Sequence, residues 1–234
     1  MSEYKSLYRF MHFEHLLDLI KNHRLPLINP SEWEDKNDIF ASKLSCKDNE
    51  IIGICCFTLS KSNSIYRWSK MAPNNLCVRV EFDMDKIKAR LSQKMVMKEV
   101  QYKSVDELES DVVEIKKDCA FIKSKPFKPE KEIRIVTYQS VTDKNKNEKI
   151  VDCLENLTSD AIKGIRFSPF LDQEMYCLIR ELLLKYLDEN NWNDVEISQS
   201  EILNKEKWQK ALKKMCRLYC SAITRNVSDK NKTN

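Results

Sequence analysis

Short apolar runs separated by polar stretches recur along this chain, and their spacing predicts its elements. Leu7-Tyr8-Arg9-Phe10 reads as a first strand. Phe13, Leu16, Leu17 and Ile20 then recur at helical spacing, so a helix follows over His12–Asn22. Leu25–Ile28 reads as a short strand, and Asn29–Asp38 as a polar loop with one large aromatic, Trp33. Ile51–Leu59 is an apolar run with polar flanks, the pattern of a buried strand. Ser64–Met71 reads as a short helix and Leu76–Phe82 as another strand.

Val105, Leu108, Val112, Ile115, Cys119 and Ile122 step by threes and fours, which predicts one amphipathic helix. Strands are expected at Glu132–Tyr138, Lys149–Cys153 and Ala161–Phe167. Met175, Leu178, Ile179, Leu182, Leu183 and Tyr186 define a second core helix, and Val195–Ile197 a last strand. Trp208, Leu212, Met215 and Tyr219 predict a C-terminal helix. The expectation is one α+β domain over residues 1–227, with that helix as an extension and a disordered tail at 228–234. Its sheet should be central and mostly antiparallel, with flanking helices.

Composition narrows the chemistry. The chain has only two glycines, Gly53 and Gly164, so it carries no glycine-rich phosphate loop. Its net charge of +4 is spread through mixed charges, which permits contact with nucleic acid without arguing for it. The nine cysteines include no CxxC pair, and the three histidines are confined to His12–His23, so no metal site is expected. Apolar-embedded cysteines and the absence of a secretory signal or bilayer-length apolar run point to a reducing cytoplasm and no membrane association.

The stretch Lys125–Val136 stands out. In an extended chain Glu130, Glu132 and Arg134 fall on one face. The pattern alone reads as a solvent-facing strand with a cross-paired arginine. Glu130 follows Pro129 and is expected in the turn before the strand.

Several short segments, in order, resemble the bacterial domain-of-unknown-function family 2971: Leu7–Phe10, Trp33–Asp38, Cys56–Ser60, Tyr66–Ala72, Phe127–Arg134 and Ile162–Ile165. Glu34 and Lys36 depart from that family's loop, where Asn and Pro are usual, and Asn75 replaces a usual glycine. The family's layout is similar to that of ADP-ribosyltransferase-like toxins. That likeness implies an NAD-consuming transferase, serving as a toxin or phage-defence effector, with NAD as substrate and a protein or nucleic acid as acceptor. It implies Glu132, with Glu130 as alternative, as the carboxylate that stabilises an oxocarbenium-like transition state. Arg9 would hold a phosphate of the dinucleotide, Tyr66 or Trp68 would stack on nicotinamide, and Ser69 and Arg134 would complete the binding set. Two other readings stand beside it. One is a non-catalytic nucleotide- or nucleic-acid-binding module that uses the interleaved lysines and aromatics of Tyr102–Lys103 and Lys123–Lys128. The other is a metal-dependent hydrolase built on Asp35, Asp38 and the glutamates Glu130 and Glu132.

Overall fold

Leu7 and Met11 of the first strand, β1 (Ser6–His12), are fully or almost fully buried, and Arg9 lies between them on the same side. Tyr8 and Phe10 point the other way. This alternation sets the two faces of a sheet. The computed structural model describes residues 4–61, 65–71, 76–110, 116–142, 145, 148–203, 206 and 208–217. After β1 come α1 (Phe13–Asn22), β2 (Leu25–Ile28), α2 (Lys36–Ser45), β3 (Glu50–Thr58), α3 (Ile65–Met71), β4 (Cys77–Asp83) and α4 (Met84–Ala89). Then follow β5 (Val96–Glu99), β6 (Gln101–Lys103), α5 (Val105–Ser110), β7 (Ile122–Ser124), β8 (Glu132–Ser140), β9 (Ile150–Leu154), β10 (Ile162–Phe167), α6 (Gln173–Glu189) and β11 (Glu196–Gln199). The fold is α+β.

Nine strands form one sheet along the path β11-β10-β4-β1-β3-β2-β9, with β8 on β3 and β5 on β8. Its pairs are antiparallel except β10 with β11. The four runs predicted at Leu7, Ile51, Leu76 and Glu132 all enter this sheet. β6 and β7 form a separate parallel pair.

The sheet has a seam. β1 pairs with β4 along seven residues, yet meets β3 at Tyr8 and Thr58 alone. β3 gives one whole edge to β8, and β2 joins the other edge only at Ile54. So β11-β10-β4-β1 and β5-β8-β3-β2-β9 are two half-sheets joined at one residue pair.

One face buries the main core. Leu16, Leu19 and Ile20 of α1, Met84 and Ile87 of α4, and Leu183 and Leu187 of α6 pack there against Phe57, Val80, Phe82, Ile133 and Ile135. On the second face, Ala120 and Phe121 of the 3-10 turn Lys116–Phe121 cover Ile52, Ile54 and Val136. Beside them α2 packs on that turn, and Trp68 of α3 packs on Phe10 and Cys77.

Four sequence expectations are corrected. The polar loop ends early, because Asp35 caps a helix by accepting from the N–H groups of Asn37 and Asp38. The amphipathic helix from Val105 does not persist: Cys119 lies in a 3-10 turn and Ile122 opens β7, while Val112 and Ile115 are outside the described residues. On α6, Met175, Leu178 and Leu182 face solvent, and the buried seam runs through Leu183 and Leu187. The charged start of β8 is not solvent-facing: Glu132 and Arg134 are both buried.

Ser200–Asn234 forms a second unit, helical over 208–217, whose Trp208, Leu212 and Met215 are exposed. The tail expected at 228–234 lies outside the described residues. Among the described residues no helix is long and apolar enough to cross a membrane. Among the described residues, eight cysteines are outside any disulfide.

Candidate functional site

Residues opposite one another in adjacent strands leave the sheet on the same face. Glu132 on β8 faces Thr58 on β3, Thr58 faces Tyr8 on β1, and Tyr8 faces Glu81 on β4. A row of two carboxylates and two hydroxyls therefore crosses the seam on the second face. Its outer end is self-contained: the Ser6 and Tyr8 hydroxyls donate to Glu81 Oε1 at 2.8 and 3.3 Å.

The Glu132 end is an ion network. Arg134 donates from Nε to Glu132 Oε1 at 2.7 Å and from its terminal nitrogens to Asp38 Oδ1 and Oδ2 at 2.8 and 2.7 Å. It also reaches Glu132 Oε2 at 3.2 Å and the Ala120 carbonyl at 2.8 Å, beneath the Trp33 ring. Lys123 Nζ adds bonds to Glu130 at 2.8 Å and Glu132 at 3.1 Å, and lies 3.4 Å from Asp38. Asp38, Glu130 and Glu132 pair directly with these two cations, and the nearby Arg67 guanidinium, which feels the Glu130 charge, is the third positive group at this end. Burial pushes the Glu132 carboxyl up, but Arg134, Lys123 and the Cys56 thiol together hold it below the usual carboxylate value. The same ionised carboxylate, added to desolvation, pushes the Cys56 thiol well up, so Cys56 stays protonated and donates.

Helix α3 and the β6–β7 pair fix this end in place. Arg67 donates to the Thr58 hydroxyl at 2.9 Å and to the Pro129 and Glu130 carbonyls at 2.6 and 3.0 Å. Thr58 in turn donates to the Glu130 carbonyl. The Glu132 backbone N–H donates to the Tyr102 hydroxyl at 2.7 Å, and burial pushes that phenol up to about 12. The turn before β8 is thus held from both sides.

The sequence-predicted residues separate into groups. Glu130, Glu132 and Arg134 come together, with Glu130 in the turn and half-exposed. Arg9 does not join them. It lies on the core face, where its NH1 donates to the Cys56 carbonyl at 2.8 Å and the Cys55 sulfur at 2.9 Å, filling the gap where β1 leaves β3. Trp68 is fully buried, edge-on to Phe10 at 4.9 Å, and so is closed to a ligand ring. Tyr66 and Ser69 stand on the exposed side of α3, the Ser69 hydroxyl turned back to the Tyr66 carbonyl. Of the two aspartates proposed for a metal, Asp35 caps α2 and Asp38 is forked by Arg134. Among the described residues no group of three or more His, Cys, Asp or Glu is placed to hold a metal ion.

Sequence reasoning missed Asp38 as Arg134's partner, Lys123 as an internal cation, and Arg67 and Tyr102 as braces. Arg67 sits between two residues that were singled out, and its charge inside an otherwise aromatic turn was the available signal.

No protein-family model and no curated protein matches the chain. Solved structures of Thermus sp. 2.9 DarT do. The one in complex with NAD+ shares 12% identity at a TM-score of 0.42, over 86% of this chain and 97% of that one. The one in complex with ADP-ribosylated ssDNA shares 11% at 0.44, over 86% and 96%. The likeness is one of layout. At these scores it transfers no residue role and no activity, and the resemblance to family 2971 gains no family match.

Proposed function

We propose that the protein binds NAD over the seam and breaks its nicotinamide–ribose bond in front of Glu132, passing ADP-ribose to a nucleophile. The C1′–N bond cleaves with its electron pair leaving on nicotinamide, which departs neutral. The positive charge left on the ribose is captured by the acceptor, which releases a proton as the new bond forms. A fixed anion beside C1′ lowers this barrier because it meets charge that develops only in the transition state.

The observation that carries this reading is a buried Glu132 carboxylate held ionised by Arg134 and Lys123. That fixed carboxylate charge complements both the cationic nicotinamide ring and the ribosyl cation. Glu130, half-exposed two residues earlier, is placed to face the acceptor. Tyr66, the exposed aromatic of α3, is the ring left for stacking. Arg134 and Arg67 act as positioning residues, since their donors go to Glu132, Asp38, Thr58 and backbone carbonyls.

Glu132→Gln keeps the shape and removes the charge. NAD cleavage by the purified protein, followed as nicotinamide release, should fall about 10²–10³-fold, the usual loss for one transition-state electrostatic contact. Glu130→Gln should retain cleavage in water but lose transfer. One observation favours a second reading, a binding module without turnover: both Glu132 oxygens already have cationic partners. Wild-type protein that binds NAD without releasing nicotinamide under any acceptor would establish that reading and remove the first.

A further inference from the structure

Arg79 on β4 and Arg166 on β10 are direct partners across their ladder, so both guanidiniums leave the sheet on one face. Arg79 is two residues from Glu81 along β4, which places it on the face of the Glu132–Thr58–Tyr8–Glu81 row. It is 3% exposed. Its NH1 donates once, to the Lys61 carbonyl at 3.0 Å, and its guanidinium carbon lies 4.9 Å from the Tyr8 ring centre. Its Nε is buried with no hydrogen-bond partner. Arg166 donates only to the Ser198 hydroxyl at 3.3 Å among the described residues. Neither arginine forms an ion pair with a described residue, and the nearby Glu81 carboxylate accepts the Ser6 and Tyr8 hydroxyls instead.

Like charges set directly opposite in a ladder are destabilising, and a buried cation without a counter-ion costs more. Burial, and after it the Arg166 charge, hold the Arg79 guanidinium below its ordinary value. The folded chain keeps this unfavourable pair on the face where the row of polar groups lies. Guanidiniums are planar, weakly hydrated forks that match phosphate oxygens.

We infer that Arg79 and Arg166 form an anion subsite that takes the diphosphate of a dinucleotide. Its charge preference follows from the two side chains alone, and the dinucleotide identity rests on the NAD reading above. Arg79 stands three strands from Glu132, about 14 Å at strand spacing. A dinucleotide with its nicotinamide ribose at one end and two long arginine side chains reaching from the other spans that distance. The role expected of Arg9 from sequence thereby passes to residues on the opposite face of the sheet.

Inorganic pyrophosphate and NAD, each titrated into the full chain by calorimetry, test this. Wild type should bind both. Arg166→Gln should weaken both by at least about tenfold, the loss of a charge-assisted contact. The same variant should raise the melting temperature of the ligand-free protein, because it removes a like-charge pair; a merely structural arginine would lower it. Wild type that ignores pyrophosphate, or Arg166→Gln that binds it with wild-type affinity, overturns the subsite. If pyrophosphate binding falls in Arg166→Gln while NAD neither binds nor is cleaved, the anion subsite stands and the dinucleotide reading falls.

Discussion

Arg134 directs all five of its N–H donors at protein oxygens: two on Glu132, two on Asp38 and one carbonyl. Nothing in its fork remains for a ligand, so its work is to hold a carboxylate ionised where water is scarce. Arg134→Leu would leave Asp38 and Glu132 buried without their main partner. The expected loss is about 3–5 kcal/mol in urea unfolding, the usual penalty for breaking a buried pair from one side; a loss under about 1 kcal/mol would show that the network relaxes into solvent. Half of this arrangement was legible. Glu132 and Arg134 stand two apart in a run that reads as a strand, which places them together. Asp38 lies 96 residues away, and no local pattern links it to Arg134. That Arg9 lies on the core face is not legible in sequence, because Leu7-Tyr8-Arg9-Phe10-Met11 is apolar on both parities and alternation does not say which face is the core.

Helix α2 escaped the sequence reading because its apolar residues do not share a buried side. Ile39 is buried while Phe40 and Leu44 are exposed, and Asp38, Ser42 and Ser45 are the other buried positions. The Asp35 cap was the one local signal of its start. Strands were easier, since β3, β4, β8 and β10 are short runs rich in Ile, Val and Phe. β3 also carries a tight constraint at Gly53. A Cβ there would meet the Val151 Cβ at 2.8 Å and the Leu27 carbonyl at 3.1 Å, pressing on β9 and β2 together. Neither is the loose end of a flexible side chain. Gly53→Ala should therefore destabilise by about 1–3 kcal/mol, as overpacking does. A denaturation midpoint equal to wild type would mean that β2 and β9 shift freely. The glycine's scarcity was visible in sequence; its crowding by β2 and β9 was not.

For the molecule as a whole, the ionised Glu132 sets a dependence on pH. Its folded value lies below the unfolded 4.5. The stability it contributes is therefore fully present above 4.5 and is lost as pH falls through the lower folded value. Urea midpoints measured from pH 7 to pH 3 should fall more steeply below 4.5 for wild type than for Glu132→Gln. Parallel profiles would assign acid lability to other carboxylates. The α+β class and the order of most elements were readable from the chain. The seam was not, because pairing between strands so distant in sequence leaves no local trace.

The order of strands also has a consequence for synthesis. Every strand of the β5-β8-β3-β2-β9 half lies between Leu25 and Leu154, whereas the other half takes β1 and β4 from early in the chain and β10 and β11 from late. Once β4 is made it has β1 on one edge, but its second edge stays open until β10 arrives about 80 residues later. At ribosomal speeds of about 5–20 residues per second, that edge waits on the order of 4–16 s. It carries Val78, Val80 and Phe82, the kind of strand that recruits neighbouring chains. The late strand that brings Arg166 to Arg79 is thus also the one that closes this apolar edge of the nascent protein.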